Sequence, residues 1–163
     1  MRTLCLFRHA KSTWGALGTD DIDRPLHPIG STNAPMMGNF LKNQKIKPDL
    51  ILSSNATRCL ATAELIAEPL NYKKENIKVD PRLYDASVED LLQVLEGIDN
   101  KFKTVILVGH NPGLTLLANY LAEGHVVNLP TCGVFCLDID MDDWKNITSA
   151  KSEVKFIDEP RRH

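Results

Sequence analysis

The chain has 163 residues, of which 43% are hydrophobic and 25% charged, with a formal net charge of -2. That length and apolar fraction fill one core, so a single domain spanning residues 1–163 is expected. The near-neutral balance excludes an extended basic surface for nucleic acid or for an anionic membrane, and no apolar run approaches the ~20 residues of a membrane-spanning helix, so the expectation is a cytoplasmic protein whose anion sites, if any, are local.

The opening MRTLCLF passes into an alternating strand in place of a signal-peptide core. Residues 2–8 place Leu4 and Leu6 on one face and Cys5 and Phe7 on the other. With both faces apolar, this reads as a central strand. From Lys11 to Gly30 the chain is polar and without period, a loop long enough to be functional, and its DDID run at Asp20–Asp23 reads as solvated. Helical spacing resumes in STNAPMMGNFLKNQ, with Ser31 as the expected cap and Pro35 in the early turns.

Residues 49–53 form the next apolar strand, and ATRCLATAELIAEPL follows as a helix through Leu60, Ala63, Ile66 and Ala67. A weaker strand, IKVDP, leads through a loop at Tyr84 and Asp85 into a helix with Ser87 as N-cap and Asp90 at the capping-box position. Residues 104–108 are a β-branched strand, followed by a turn at 109–113 and a helix to Gly124. GVFCLDID and EVKFIDEP read as two closing strands that pair antiparallel, and the RRH tail is expected to fray.

Strands alternating with helices predict an α/β fold: a three-layer α/β/α sandwich with a mostly parallel central sheet. The four cysteines, Cys5, Cys59, Cys132 and Cys136, lie in apolar stretches and are expected as free buried thiols. Cys132 and Cys136 fall on one face of a strand at their spacing, but no partner stands at metal-ligand spacing, so no metal site is expected.

The informative coincidence is positional. Arg8 and His9, Arg58, and His110 all fall at or just beyond the carboxyl ends of expected strands, the edge where open α/β sheets bind ligands. A lone histidine there is commonly a hydrogen-bonded structural residue, and a lone arginine on a helix is commonly solvated. Two guanidiniums and two imidazoles together surround a tetrahedral anion, with arginine supplying the forked donors that phosphate oxygens accept. Ser12 or Thr13 adds a hydroxyl, and helix N-termini after Ser54 and Asn111 add backbone N–H groups. Arginines alone explain anion binding; the imidazoles point to chemistry. A neutral histidine attacks phosphorus to give a hydrolysable N–P bond, and His9 is the candidate nucleophile. Neighbouring cations disfavour its imidazolium, and a hydrogen bond from its other ring nitrogen to a backbone carbonyl fixes the tautomer. His110 is the candidate donor to the transferring phosphoryl oxygens.

At these residues the sequence resembles the histidine phosphatase superfamily, the phosphoglycerate mutase-like family, and within it the short SixA-type phosphohistidine phosphatases. LFRHAKS resembles the R-H-[GA] signature, SSNATRCLATAELI the second-arginine motif, LVGHNPGL the second-histidine motif, and DIDRPLHPIG the R-P-L-x-x-x-G stretch. The resemblance implies a phosphoglycerate mutase-like fold, His9 as phosphorylated nucleophile, Arg8 and Arg58 as phosphoryl-binding residues, His110 completing the pocket, and no metal or organic cofactor. Arg24, from the R-P-L stretch, is assigned a structural or substrate-entrance role.

The departure from the family concerns the general acid. Larger members carry a Glu in the loop after the third strand or an Asp directly after the second histidine, whereas this chain has Asn111 at the latter position. Asp85 is the carboxylate nearest the expected loop position, with Glu89 and Asp90 behind it. An alkoxide leaving group needs a proton, and losing general-acid help costs ~10²–10⁴-fold. Imidazole departs from phosphohistidine far more easily. The expected activity is therefore hydrolysis of phosphohistidine or a related phosphoramidate through a phosphohistidine enzyme intermediate. The expected partner is a phosphorylated substrate, including a phosphohistidine-bearing protein that an open pocket admits, with no nucleic acid or membrane partner. The alternatives are a broad small-molecule phosphomonoesterase and a non-catalytic phospho-ligand binding module.

Overall fold

A computed structural model describes residues 1–123 and 128–163. β1 (Arg2–Arg8) runs through the middle of a six-stranded sheet with β2 (Leu50–Ser53), β3 (Lys78–Val79), β4 (Thr104–Gly109), β5 (Val134–Asp140) and β6 (Lys151–Asp158), in the order β3-β2-β4-β1-β5-β6. β3, β2, β4 and β1 are parallel, while β5 and β6 continue the sheet antiparallel. The mixed sheet is thus mostly parallel, and the two closing strands pair as their sequences suggest.

Register matters most for function. β1 ends with Arg8 opposite Gly109, and β2 ends with Ser53 opposite Val108. The residues that follow, His9, Ser54 and His110, therefore leave the sheet at a common edge.

Among the described residues four α-helices cover the two faces: α1 (Pro28–Asn43), α2 (Thr57–Ala67), α3 (Val88–Glu96) and α4 (Gly113–Ala122). Strand alternation sorts them. Cys5, Phe7, Ile51, Ile106 and Val108 pack with Ala34, Met37, Ala63 and Ile66 of α1 and α2. Leu4, Leu6, Leu52, Val105 and Leu107 pack on the opposite side with Leu91, Leu95, Leu114 and Leu117 of α3 and α4. Leu6 is wholly buried, so truncating it to Ala costs about 2–5 kcal/mol.

Local details depart from expectation in five places. α1 is capped by His27, whose Nδ1 accepts from Ile29 N–H at 3.0 Å, with Pro28 at the first helical position. Ser31 is inside the first turn and is not the cap, because proline is tolerated where the helix N–H groups are unpaired anyway and so the helix starts earlier. Gly30 in that turn lies so close to the chain after His9 that a Cβ there would stand 2.2 Å from the Lys11 carbonyl oxygen. β3 has only two residues, while the Ser87–Asp90 capping box on α3 is present as expected. The end expected for α4, Gly124, lies outside the described residues.

The C-terminal tail does not fray. Pro160–Arg162 make a turn of 3₁₀ helix, and His163 bonds Asp158 at 2.5 Å while its ring meets Phe40. The expectation of four free thiols is also corrected: the β1–β5 register sets Cys5 opposite Cys136, and the two form a disulfide. Cys132 precedes β5 with a φ of 62°, so it does not share a strand face with Cys136. Cys59 and Cys132 are free and buried, and desolvation pushes both thiols up to about 12. No helix among the described residues is long and apolar enough to cross a membrane.

Candidate active site

His9 is the first residue beyond β1, and the backbone holds it from both sides. Its N–H donates to the Gly109 carbonyl at 3.1 Å, and its carbonyl accepts from Cys132 N–H at 2.9 Å. The next residue is fixed too, since Ala10 N–H donates to Thr62 Oγ1 at 3.0 Å. His9 is 7% exposed, and its Nδ1 pairs with the Ala10 carbonyl oxygen at 2.8 Å. A carbonyl only accepts, so Nδ1 carries the proton and Nε2 keeps the lone pair. Burial lowers the His9 pKa to about 4, assisted by the Arg58, Arg8 and Arg24 charges and opposed by the Ala10 bond. The ring is neutral at pH 7.

Arg8, on β1, donates from Nη1 to the Leu129 carbonyl at 3.0 Å. Its buried Nε has no partner among the described residues, so the guanidinium has donors left for an anion. Arg58 projects from the first turn of α2. Its side chain is 8% exposed, and both terminal nitrogens reach Asp21: Nη1 donates to the backbone carbonyl at 2.6 Å and Nη2 to Oδ2 at 3.0 Å.

Asp21 opens a turn of 3₁₀ helix, Asp21–Asp23, in the loop after β1. Its Oδ1 accepts from Arg24 Nη1 at 3.0 Å, and Tyr84 donates its hydroxyl to Oδ2. The Tyr84 hydroxyl above all, with the Arg24 and Arg58 donors, holds the Asp21 carboxyl well below the usual carboxylate range, against the opposing effect of desolvation. Arg24 also donates from Nε to the Thr13 carbonyl at 2.9 Å and from Nη2 to Ser12 Oγ at 2.8 Å, and its guanidinium stacks 4.2 Å from the centre of the Trp14 ring.

His110 follows β4. Its Nε2 is 2.9 Å from Ser54 Oγ, which itself accepts from Ala56 N–H, and its Nδ1 is 3.5 Å from Arg58 Nη2. Because arginine only donates, Nδ1 is the acceptor in this arrangement and Nε2–H faces Ser54. The ring meets His9 edge to face at 5.5 Å and Tyr84 at 5.3 Å. Burial, then the His9 and Arg58 charges, lower its pKa to about 3. Asn111, beside it, is fully used in holding loops: Nδ2 donates to the Leu129 carbonyl at 2.8 Å, and Oδ1 accepts from the Thr115 N–H and hydroxyl.

These groups line a cavity of about 580 Å³. Arg8, His9, Arg58, His110, Ser12, Arg24 and Asp85, every site residue expected from the sequence, lie on its wall. The placement has two qualifications. Ser12 already accepts from Arg24, and the helix N-termini start later than anticipated, with Ala56 and Pro112 at the cap positions of α2 and α4. Asp85 is exposed with a φ of 52°, in a loop pressed against the start of α4. Gly113 permits that approach, since a Cβ there would stand 2.5 Å from the Ala86 carbonyl oxygen. Lys11, Asp21, Tyr84 and Thr131 also line the cavity and were not expected there. Of these only Asp21 leaves a sequence signal, its position three residues before Arg24. Among the described residues, no group of three or more His, Cys, Asp or Glu side chains is placed to hold a metal ion.

Comparison with known proteins gives consistent results. The family described as Histidine phosphatase superfamily (branch 1) matches residues 4–105. An uncharacterized chloroplastic protein of Arabidopsis thaliana is 32% identical over 152 residues, covering 88% of this chain and 69% of the relative. The crystal structure of a putative phosphohistidine phosphatase SixA from Agrobacterium tumefaciens superposes with a TM-score of 0.83 at 27% identity, covering 98% of both chains. A protein histidine phosphatase SixA complexed with tungstate has the same TM-score at 23% identity, again over 98% of both chains, and shares the fold.

Proposed function

The chain belongs to the histidine phosphatase superfamily (branch 1) and is a phosphatase; we propose that it hydrolyses phosphohistidine, or a related phosphoramidate, by double displacement through His9. The observation that carries this reading is the His9 tautomer. With Nδ1–H held by the Ala10 carbonyl, Nε2 presents its lone pair to a cavity lined by Arg8, Arg24 and Arg58.

In the first step Nε2 of His9 bonds to phosphorus as the phosphorus–nitrogen bond to the substrate breaks, and the leaving imidazole takes up a proton. Arg8 and Arg58 neutralise the phosphoryl oxygens, which carry charge spread over them throughout the transfer. His110 donates to one of these oxygens after its proton is redistributed. The Ser54 hydroxyl, which both donates and accepts, lets that proton sit on either ring nitrogen. In the second step water attacks phosphorus, the bond to Nε2 breaks, and phosphate leaves with His9 neutral again.

Asp85 is the proposed proton donor, on the strength of its place at the rim of the cavity. A nitrogen leaving group depends less than an alkoxide on help from such an exposed side chain. The similarity to structures described as SixA phosphohistidine phosphatases supports the same substrate class, as does a cavity open to a phosphorylated residue on another protein.

Rapid quenching with phosphorus-labelled substrate tests the chemistry. An acid-labile, base-stable adduct that vanishes in His9→Ala is the expected result, and an acid-stable adduct or none overturns it. Turnover of phosphohistidine well above that of sugar phosphates supports the substrate class; the reverse order indicates a phosphomonoesterase.

A further inference from the structure

Asp21 stands in an acidic run that reads as solvated, yet it touches three segments of the site. Its side chain is 49% exposed, and its carboxylate still meets Arg24 of its own loop, Arg58 at the start of α2 and Tyr84 before α3. Its backbone carbonyl adds a second grip on Arg58. We propose that Asp21 is a positioning residue with a second effect: it fixes Arg58 and Arg24 around the phosphoryl site while its charge limits how tightly the site holds phosphate.

Two features support both halves. A guanidinium has five N–H donors in a rigid fork, and Asp21 takes one from each terminal nitrogen of Arg58, which sets the plane of the fork and, with the second Nη2 donor turned to His110, leaves donors on Nε and Nη1 for an anion. Arg24 is likewise held between Asp21, Ser12 and Thr13. The charges give the second half. Arg8, Lys11, Arg24 and Arg58 line the cavity against Asp21 and Asp85, so with both histidines neutral four cations face two carboxylates. That excess of positive charge suits a phosphoryl anion. Removing Asp21 adds a further unit of positive charge beside the anion, so product phosphate binds more tightly even as the arginines lose their orientation.

Asp21→Asn separates this from a merely structural role, because the two roles move phosphate binding in opposite directions. Inorganic phosphate titrated into the protein by calorimetry is expected to bind about three- to tenfold more tightly, the size of one charge acting across a partly solvated site. On a reactive aryl phosphate, kcat is expected to fall about tenfold as the arginine geometry loosens. Asp21→Glu, which keeps the charge, returns the phosphate affinity toward that of the parent.

Tyr84→Phe provides the opposite sign. Loss of the hydroxyl donor leaves more of the Asp21 charge facing the cavity, and phosphate binds about twofold more weakly. If Asp21→Asn loses its cooperative thermal transition, Asp21→Glu and Tyr84→Phe still decide the matter. Phosphate affinity that is unchanged or weaker in folded Asp21→Asn, or tighter in Tyr84→Phe, overturns the proposal. The inference rests on the phosphoryl-transfer reading of the site, and the two fail separately. A parent protein that turns over no phosphoramidate or aryl phosphate defeats that reading, while the phosphate titration reports on Asp21 without turnover.

Discussion

His9 and His110 lie edge to face with ring centroids 5.5 Å apart, and His9 lowers the tendency of His110 to take a proton. The folded-state values, about 4 for His9 and about 3 for His110, are below the usual 6.5 of an exposed imidazole. Ring-proton NMR of the ligand-free protein should show both histidines neutral down to about pH 5. Saturating phosphate should raise both midpoints, since the dianion favours the imidazolium. A His9 midpoint near 6.5 without ligand would remove the buried neutral nucleophile.

The same shifts predict how stability follows pH. Both pKa values are depressed on folding, so the unfolded chain takes up protons first as pH falls from 7. The contribution of each ring is therefore fully present above pH 6.5 and is lost as pH falls from there toward the folded value. Between pH 7 and 5 the loss is on the order of 1–2 kcal/mol per imidazole. Urea denaturation should show a lower midpoint at pH 5 than at pH 7. His9→Asn should have a smaller difference, and an equal or larger one would contradict the assignment.

In the proposed mechanism Ser54 acts through His110, with its hydroxyl 2.9 Å from Nε2. Ser54→Ala removes the group that accepts or donates as the ring changes tautomer, while the arginines keep their contacts with one another's partners. The expectation is a loss in kcat of about tenfold or more with little change in phosphate affinity, the pattern of an interaction made mainly in the transition state. Equal losses in kcat and in phosphate binding would instead mean that Ser54 only supports the loop.

Much of this site was legible because Arg8, His9 and His110 follow directly from strands whose apolar pattern is plain. Leu4 and Leu6 against Cys5 and Phe7 divide between the two core layers as the alternation requires. What escaped depends on pairing between distant segments. Cys5 and Cys136 are 131 residues apart and meet only through strand register. Asp21 and Tyr84 belong to loops without period, and nothing in either stretch alone shows that they share a hydrogen bond. His27 displaced Ser31 as the cap of α1 because a ring nitrogen accepts from the second helical N–H as a hydroxyl oxygen does.

The proposed chemistry of the leaving group rests on Asp85. It lines the cavity from an exposed loop, while the position after His110 holds Asn111, an amide already committed to Leu129 and Thr115. Asn111 therefore cannot supply the proton, and Asp85 is the carboxyl proposed to do so. Asp85→Asn removes proton donation without removing the side chain's volume, so its cost should scale with the basicity of the departing atom. On an alkyl phosphate the loss is expected to reach about 10²-fold, against less than about tenfold on phosphohistidine, whose imidazole departs readily. Steady-state kcat/KM over a series of leaving groups measures this directly, as a steeper dependence on leaving-group pKa in the variant. A uniform loss across the series, or none, would exclude Asp85 as the acid and leave solvent to protonate the departing nitrogen.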